Sequence, residues 1–476
     1  MIRMHECCSA RRPGRAQPDA ALVLHPPTSS SFSTSAMAQR MRSSLLIFSR
    51  RPRAFATLHH HRCIQPHAQS YSMAPPPPLE EQALLRFHEK QYYPMQLGQT
   101  LHNRYHIITK LGYGASSTVW LARDQETDQY TTIKVCVRDH GASVANEINV
   151  LHHLAAAWSD QTMPSLARLA RDVFEVDGHS CIVMKAEACS LLHAHHLLAR
   201  SNSRLPRGII AAIVLRLLGC INWLHLECGV VHTEITTQNV LLSAFDNSFF
   251  QRIEQEESKK PSVPTMITNH HHLYPLYASR GQLSTISELS GDSTPADFGS
   301  AKFLAPTETV EGWWMPDTYR APEILLDIPW SHAVDVWAIG IMVCAYIHIM
   351  KPFLTRIRVL ELVEGRNAFY PLDVANHQYD FPLAMAQYVG YMGSPPLWMI
   401  QESRNPVVAT LFDEEGQWTA VSPIPESSLE DFVTVLPPAE KAELLRFIRR
   451  ILTWDPAQRA TSAELFEDEW LKGPFV

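Results

Sequence analysis

Val230-Val231-His232-Thr233-Glu234-Ile235-Thr236-Thr237-Gln238-Asn239-Val240-Leu241-Leu242 is the stretch around which the rest of the chain is arranged. It holds a His, an acid two positions later and an Asn five positions after the acid, and it ends in apolar residues that start a strand. Upstream, Ile210, Ile213, Val214, Leu217, Leu218, Ile221 and Leu224 recur at i, i+3, i+4 and i+7, the stripe of a helix that belongs in a core. A polar loop between a core helix and an apolar strand is positioned from both sides.

Working toward the N-terminus, Tyr92-Tyr93-Pro94 leads into Arg104 to Leu111, where alternating apolar residues predict a strand. Gly112-Tyr113-Gly114-Ala115-Ser116-Ser117-Thr118-Val119 follows, a glycine-rich turn entering a second strand. Two glycines so placed let a backbone come close to a phosphate; a third is replaced by Ser117. Tyr130-Thr131-Thr132-Ile133-Lys134-Val135 is a β-branched strand with one Lys, and Glu147 follows in a helical pattern with apolar Val144, Ile148 and Leu151. Cys181 to Glu187 predicts an apolar strand running into a hinge.

Toward the C-terminus, the polar interval from about 245 to 293 is either an insert or disorder. It ends at Ala296-Asp297-Phe298-Gly299, and Tyr319-Arg320-Ala321-Pro322-Glu323 comes after. The apolar run Ala333 to Met350 contains Asp335 and His348, and predicts a buried helix rather than a membrane span. Leu444 to Leu452 is a helix stopped by Pro456, with Arg459 beyond.

The chain of 476 residues carries a net charge of -7, which argues against general nucleic-acid affinity. Its 9 cysteines show no CxxC spacing, so neither a zinc ribbon nor a disulfide framework is indicated, and a reducing compartment fits. Residues 1–78 are rich in Arg, Ser, Pro and His, contain no Lys, and have only Glu6 and Asp19 as acids. They read as a disordered leader; the same composition, above all in Met41 to Arg51, fits a mitochondrial transit peptide or an unselected tail.

Taken in this order, residues from about 105 to 471 resemble the eukaryotic protein kinases, and among them the SR-protein kinase family as it occurs in fungi. Tyr92-Tyr93-Pro94, Ser117 to Asp124, His232-Thr233, Pro316 to Glu323 and Leu411 to Trp418 carry that finer likeness. The resemblance implies a two-lobed α+β fold with a small β-rich N-lobe at about 105–185 and a large helical C-lobe at about 188–471. An extension at 79–104 would precede it, and an insert at about 245–293 would interrupt the C-lobe. It implies ATP, Mg²⁺ and transfer to Ser or Thr of protein substrates, Arg/Ser-rich ones being typical. A monomer is expected, without nucleic acid or membrane, in cytoplasm or nucleus unless the leader directs it to mitochondria.

Residue by residue, Glu234 would stand in the base position, with Lys134 and Glu147 placing the phosphates. Leu111, Gly112, Tyr113, Gly114, Ala115, Ser116, Ser117, Thr118, Val119, Met184 and Glu187 would surround the nucleotide. Asn239 and Asp297 would hold the metal. His232, Glu323, Asp335 and Arg459 would be structural. Two positions of the loop depart from the pattern, Glu234 for Asp and Thr236 for Lys, and Thr233 stands where kinases in general carry the Arg that pairs with a loop phosphate. Two functions therefore stand: a serine/threonine kinase with an atypical loop, or a pseudokinase that binds nucleotide as a scaffold. A small-molecule phosphotransferase fits less well, because the segment Tyr319 to Glu323 belongs to protein kinases.

The leader has no periodic apolar face with which to pack on a domain. Deleting residues 1–78 is expected to leave the melting temperature nearly unchanged by calorimetry; a drop of several degrees would mean that it docks.

Overall fold

The computed structural model describes residues 79–343, 369 and 371–473, apart from 85, 139–140, 159–164, 201–204, 270–271, 281–282, 374–377 and 427. Residues 1–78, with the segment Met41 to Arg51 for which a transit peptide is one expectation, and the run 344–368 lie outside the described residues.

The N-terminal half of the fold is one antiparallel sheet in the order β1-β2-β3-β4-β6-β5. Its strands are β1 (Thr100–Leu101), β2 (Tyr105–Gly114), β3 (Ser117–Asp124), β4 (Gln129–Cys136), β5 (Ala170–Val176) and β6 (His179–Lys185). The central strand β4 is buried from Tyr130 to Cys136 because both faces are covered, which suits its β-branched Thr131, Thr132, Ile133 and Val135. Helix α1 (Gly141–Ala157) lays Val144, Val150, Leu151 and Leu154 against one face. On the other, Met95, Leu101, Tyr105, Trp120 and Ile133 form a separate cluster.

Strand β7 (Cys189–Ser190) and helix α2 (Leu191–Arg200) open the C-terminal lobe. Helix α3 (Arg207–Trp223) runs through its centre, and all seven residues of the apolar stripe, from Ile210 to Leu224, are buried. With the π-turn Leu224–Cys228 it is the one described helix long and apolar enough to cross a membrane, yet 78% of that window is buried inside the protein. Gly229 ends it at φ 61°, a left-handed conformation that glycine adopts without Cβ strain.

Four short strands then place the chemistry. β8 (Val230–Val231) precedes the central loop and β9 (Val240–Ala244) follows it; β12 (Leu289–Pro295) precedes Asp297 and β13 (Lys302–Phe303) follows it. β9 pairs with β12 and β8 with β13, so the two loops are pressed together from both ends.

The interval from 245 to 293 is folded. Helix α4 (Ser248–Lys259) buries Phe249, Phe250 and Ile253, and β10 (Thr265–Asn269) pairs with β11 (His272–Leu276) as a hairpin. From Leu289 the chain is back in the lobe as β12. Tyr274 and Leu276 of the hairpin pack on Phe87 and Tyr92 of the N-terminal extension, behind the sheet.

In the lobe's base, α5 (Ala333–Val343), α6 (Phe381–Met392) and α7 (Pro438–Ile451) share one core. α5 and α7 approach so closely at Gly340 that a Cβ there would lie 2.4 Å from Ile451 Cγ2. Gly340→Ala is expected to destabilise by about 1–3 kcal/mol through overpacking, measured by urea denaturation; Ile451→Ala in the same chain should relieve the clash and make the two changes non-additive.

Candidate active site

Glu147 on α1 and Lys134 on β4 meet because the helix lies across the sheet with Glu147 turned inward. Lys134 Nζ donates to both Glu147 carboxylate oxygens at 2.8 Å and to Asp297 Oδ1 at 3.2 Å. Burial opposes the Lys134 charge, but the two carboxylates outweigh it and hold the ammonium above its ordinary value. The same cation, against the burial of the cleft floor, keeps the Asp297 carboxyl below the usual carboxylate range. The Asp297 side chain remains 46% exposed, open to a ligand from the cleft.

The central loop is pinned by Asp335, at the start of α5 and fully buried. Its carboxylate accepts the backbone N–H groups of His232 and Thr233, both at 2.8 Å, and hydrogen-bonds His225 Nε2 at 2.9 Å. Burial would raise this carboxyl, yet the His225 bond, the neighbouring histidines and the backbone donors hold it below its ordinary value. The contact sustains Thr233 at φ 67°, which is uncommon for a β-branched residue. His232 is buried with its ring centroid 4.6 Å from that of Phe298.

Glu234 and Asn239 are joined through the loop backbone: Asn239 Nδ2 donates to the Glu234 carbonyl at 3.1 Å. Its Oδ1 is then the amide atom left for a metal. Thr236 is turned into the loop, where its hydroxyl accepts the Asn239 N–H at 3.2 Å. Burial, reinforced by the Asp297 charge, pushes the Glu234 carboxyl above the ordinary glutamate range, and a hydrogen bond from Ser300 opposes this without cancelling it.

The register of β3 sorts the glycine-rich segment. Val119 pairs with Lys134 and so shares its face of the sheet. Thr118 points the other way and accepts the Trp120 indole N–H at 2.9 Å, away from Lys134. Tyr113 also leans off the cleft, with Lys110 Nζ 5.2 Å from its ring centroid. A Cβ on Gly112 would meet nothing within 4 Å, and one on Gly114 only Ser117 Oγ at 3.9 Å, so the turn keeps open space beneath it. Leu111 packs at the edge of the main core, and Met184 is buried beside Val150, Leu151 and Ile182. Glu187 is buried and paired with Lys185 at 3.1 Å. Far from the cleft, Arg459 donates to both oxygens of Glu323 at 2.8 and 2.9 Å, a bidentate buried pair.

Two contributors were not singled out from sequence. Asn146 Nδ2 donates to the carbonyls of Gly299 (3.1 Å) and Ala301 (3.0 Å), so α1 grips the backbone after Asp297. Its position beside Glu147 was the only cue. Trp314 Nε1 donates to Thr233 Oγ1 at 3.2 Å and to the Ser300 carbonyl at 3.1 Å, with Lys302 Nζ 3.9 Å from its ring centroid, at the position where an Arg would meet a phosphate.

The comparisons agree on one family. The protein kinase domain matches residues 105–254 and 290–471, passing over most of the folded interval. The chain belongs to the protein kinase family. It is 29% identical over 402 residues to a serine/threonine protein kinase of Aspergillus fumigatus, covering 83% of this chain and 91% of that protein. It is 30% identical over 193 residues to mouse SRSF protein kinase 3, covering 37% of this chain and 33% of that one. With the probable serine/threonine-protein kinase clkA of Dictyostelium discoideum it shares 28% over 262 residues, or 53% and 26% of the two chains. The curled sheet over a helical lobe is the two-lobed α+β kinase fold.

Oxygen donors from one amide and one carboxylate, with open space under a glycine turn, fit a Mg²⁺ that takes its remaining ligands from phosphates and water. Asp335→Ala is expected to cost about 3–5 kcal/mol, since three buried donors lose their acceptor. The carboxyl is depressed in the folded protein, so its contribution is complete above the unfolded value and is lost as pH falls through the folded one. The gap between wild type and Asp335→Ala in urea melts should therefore narrow as pH falls from 7 into the acid range.

Proposed function

We propose that the chain transfers the γ-phosphoryl group of ATP to serine or threonine hydroxyls of protein substrates, with Arg/Ser-rich proteins as the first class to test. The supporting observation is Lys134, which joins Glu147 and Asp297 across the cleft at hydrogen-bond distance. That linkage sets the groups that would place phosphates and metal within reach of one another. The SRSF protein kinases among the relatives support the substrate class by name alone.

In the proposed reaction Glu234 orients the acceptor hydroxyl and takes its proton as the oxygen bonds to phosphorus. The bond from phosphorus to the β-phosphate oxygen breaks, and ADP leaves with that electron pair. Lys134 positions the phosphates, and Asn239 and Asp297 are the residues that would hold Mg²⁺. The ion, when bound, neutralises charge on the phosphate oxygens. Thr233 and Trp314 close the loop network without a phosphate, so phosphorylation of that segment is not required in this scheme.

Glu234 and Thr236 favour a second function, a nucleotide-binding scaffold. The extra methylene of Glu234 extends the carboxylate from a backbone already fixed by Asn239, and a misplacement of about 1 Å can cost on the order of 10²-fold in rate. Thr236 supplies no cation to the transferring group.

Radiolabelled transfer from ATP to an Arg/Ser peptide and to a generic basic protein, with nucleotide binding followed in parallel, separates the two. Glu234→Asp is expected to raise the rate and Glu234→Gln to abolish it. Because the base must be ionised and its carboxyl is raised, the rate should climb with pH through an inflection above the ordinary glutamate range. Wild type and both variants silent, yet all binding MgATP, would establish the scaffold instead.

A further inference from the structure

The tip of the glycine-rich turn is held from outside the kinase core. A two-residue hairpin tip, Ala115-Ser116, that follows Gly114 and carries only small side chains would be expected among the loosest parts of the sheet. Here its carbonyls are occupied. Lys90 Nζ donates to the Ala115 carbonyl at 2.5 Å. The Tyr92 hydroxyl sits between the carbonyls of Gly114 (3.2 Å) and Ala115 (3.3 Å) and can donate to either. Gln91, between them, bridges to Arg138 just beyond β4, so this segment runs along the sheet as well as over the turn.

Those donors are themselves fixed. Tyr92 is buried, stacked on Phe87 with centroids 5.4 Å apart, and lies 6.2 Å from the Tyr274 ring. Burial, with Glu81 nearby, pushes its phenol up to about 12, so it stays a donor at any working pH. The Lys90 carbonyl accepts from Asn269 Nδ2 of β10 at 3.0 Å. The hairpin is tied to the extension again where Tyr274 donates to Glu81, whose carboxylate pairs with the buried Lys110 of β2. Extension, hairpin and glycine turn thus form one continuous set of contacts.

We propose that residues 79–95 and the β10–β11 hairpin act together as a strap that fixes the glycine-rich turn, with Lys90 and Tyr92 as positioning residues for nucleotide. The inference rests on the nucleotide site proposed above. Neither residue touches the reacting atoms; each restricts the turn that closes over the phosphates. A turn already ordered loses less freedom when nucleotide binds, so the effect falls on affinity.

The test uses the full chain as wild type, Lys90→Met, Tyr92→Phe, the double variant and the conservative Lys90→Arg. MgATP affinity is read by calorimetry, alongside KM and kcat for transfer and the melting temperature without nucleotide. Tyr92→Phe keeps the packed ring and Lys90→Met keeps the aliphatic stem, so the nucleotide-free melting temperature should barely change. Each single variant is expected to bind MgATP on the order of three- to tenfold more weakly, for the loss of one hydrogen bond. KM for ATP should rise with little change in kcat, and Lys90→Arg should restore affinity. Wild type binding MgATP with all variants equal to it would overturn the strap and leave the kinase function standing. A wild type that binds no MgATP would overturn both.

Discussion

A single buried carboxylate carries the catalytic loop. Asp335 has no exposed surface, so its charge persists only because three donors surround it, and two of those are backbone N–H groups of the loop. An unpaired buried charge is costly enough that the loop has little freedom to adopt another shape. Thr233 is thereby kept in a left-handed conformation, and the direction in which Glu234 and Asn239 project follows from it. Because Asp335 lies on α5, within the main core, the loop inherits the rigidity of the helical lobe.

The small lobe is joined to that loop by a second charged centre and by packing. Lys134 reaches Asp297 while Asn146 and Ser143 of α1 hold carbonyls of the short backbone segment after it. Beneath them Val144 and Leu151 share a core with Trp223, Val230 and Phe298, which spans both lobes. A shift of α1 would have to break the ion pair, the carbonyl contacts and this core together. The cleft is therefore assembled by mutually dependent contacts rather than by any one of them.

The family and its two-lobed fold could be read from sequence because their cues are local. Lys134 stands in a β-branched strand, Glu147 on a helix with one apolar face, and Asp297 in a short motif after the loop. What could not be read depends on acceptors that have no sequence signature. Lys90 and Tyr92 bond to main-chain carbonyls 25 and 22 residues away, and any residue offers a carbonyl. Trp314 was visible only as an aromatic near Pro316, since its partner is a hydroxyl 81 positions upstream. The interval after Ala244 looked polar because its buried residues are few and widely spaced. Phe249, Phe250 and Ile253 lie on one helix face, and Tyr274, Pro275 and Leu276 are a short buried run at the end of a hairpin whose other strand exposes Thr265, Met266 and Thr268.

The buried Lys110 has a consequence for how the chain is made. Its ammonium donates to the Tyr277 carbonyl at 3.0 Å, across 167 residues of sequence. During synthesis the N-lobe sheet leaves the ribosome well before the hairpin that closes its back. At about 5–20 residues per second, the stretch from the end of β6 at Lys185 to Tyr277 takes roughly five to twenty seconds. Throughout that time the aromatic surface of Phe87 and Tyr92 lacks the cover of Tyr274 and Leu276, and Lys110 has its Glu81 partner but not the Tyr277 carbonyl. The nascent small lobe is thus an exposed intermediate that chaperones would meet before the large lobe exists, and its completion is timed by translation of the interval.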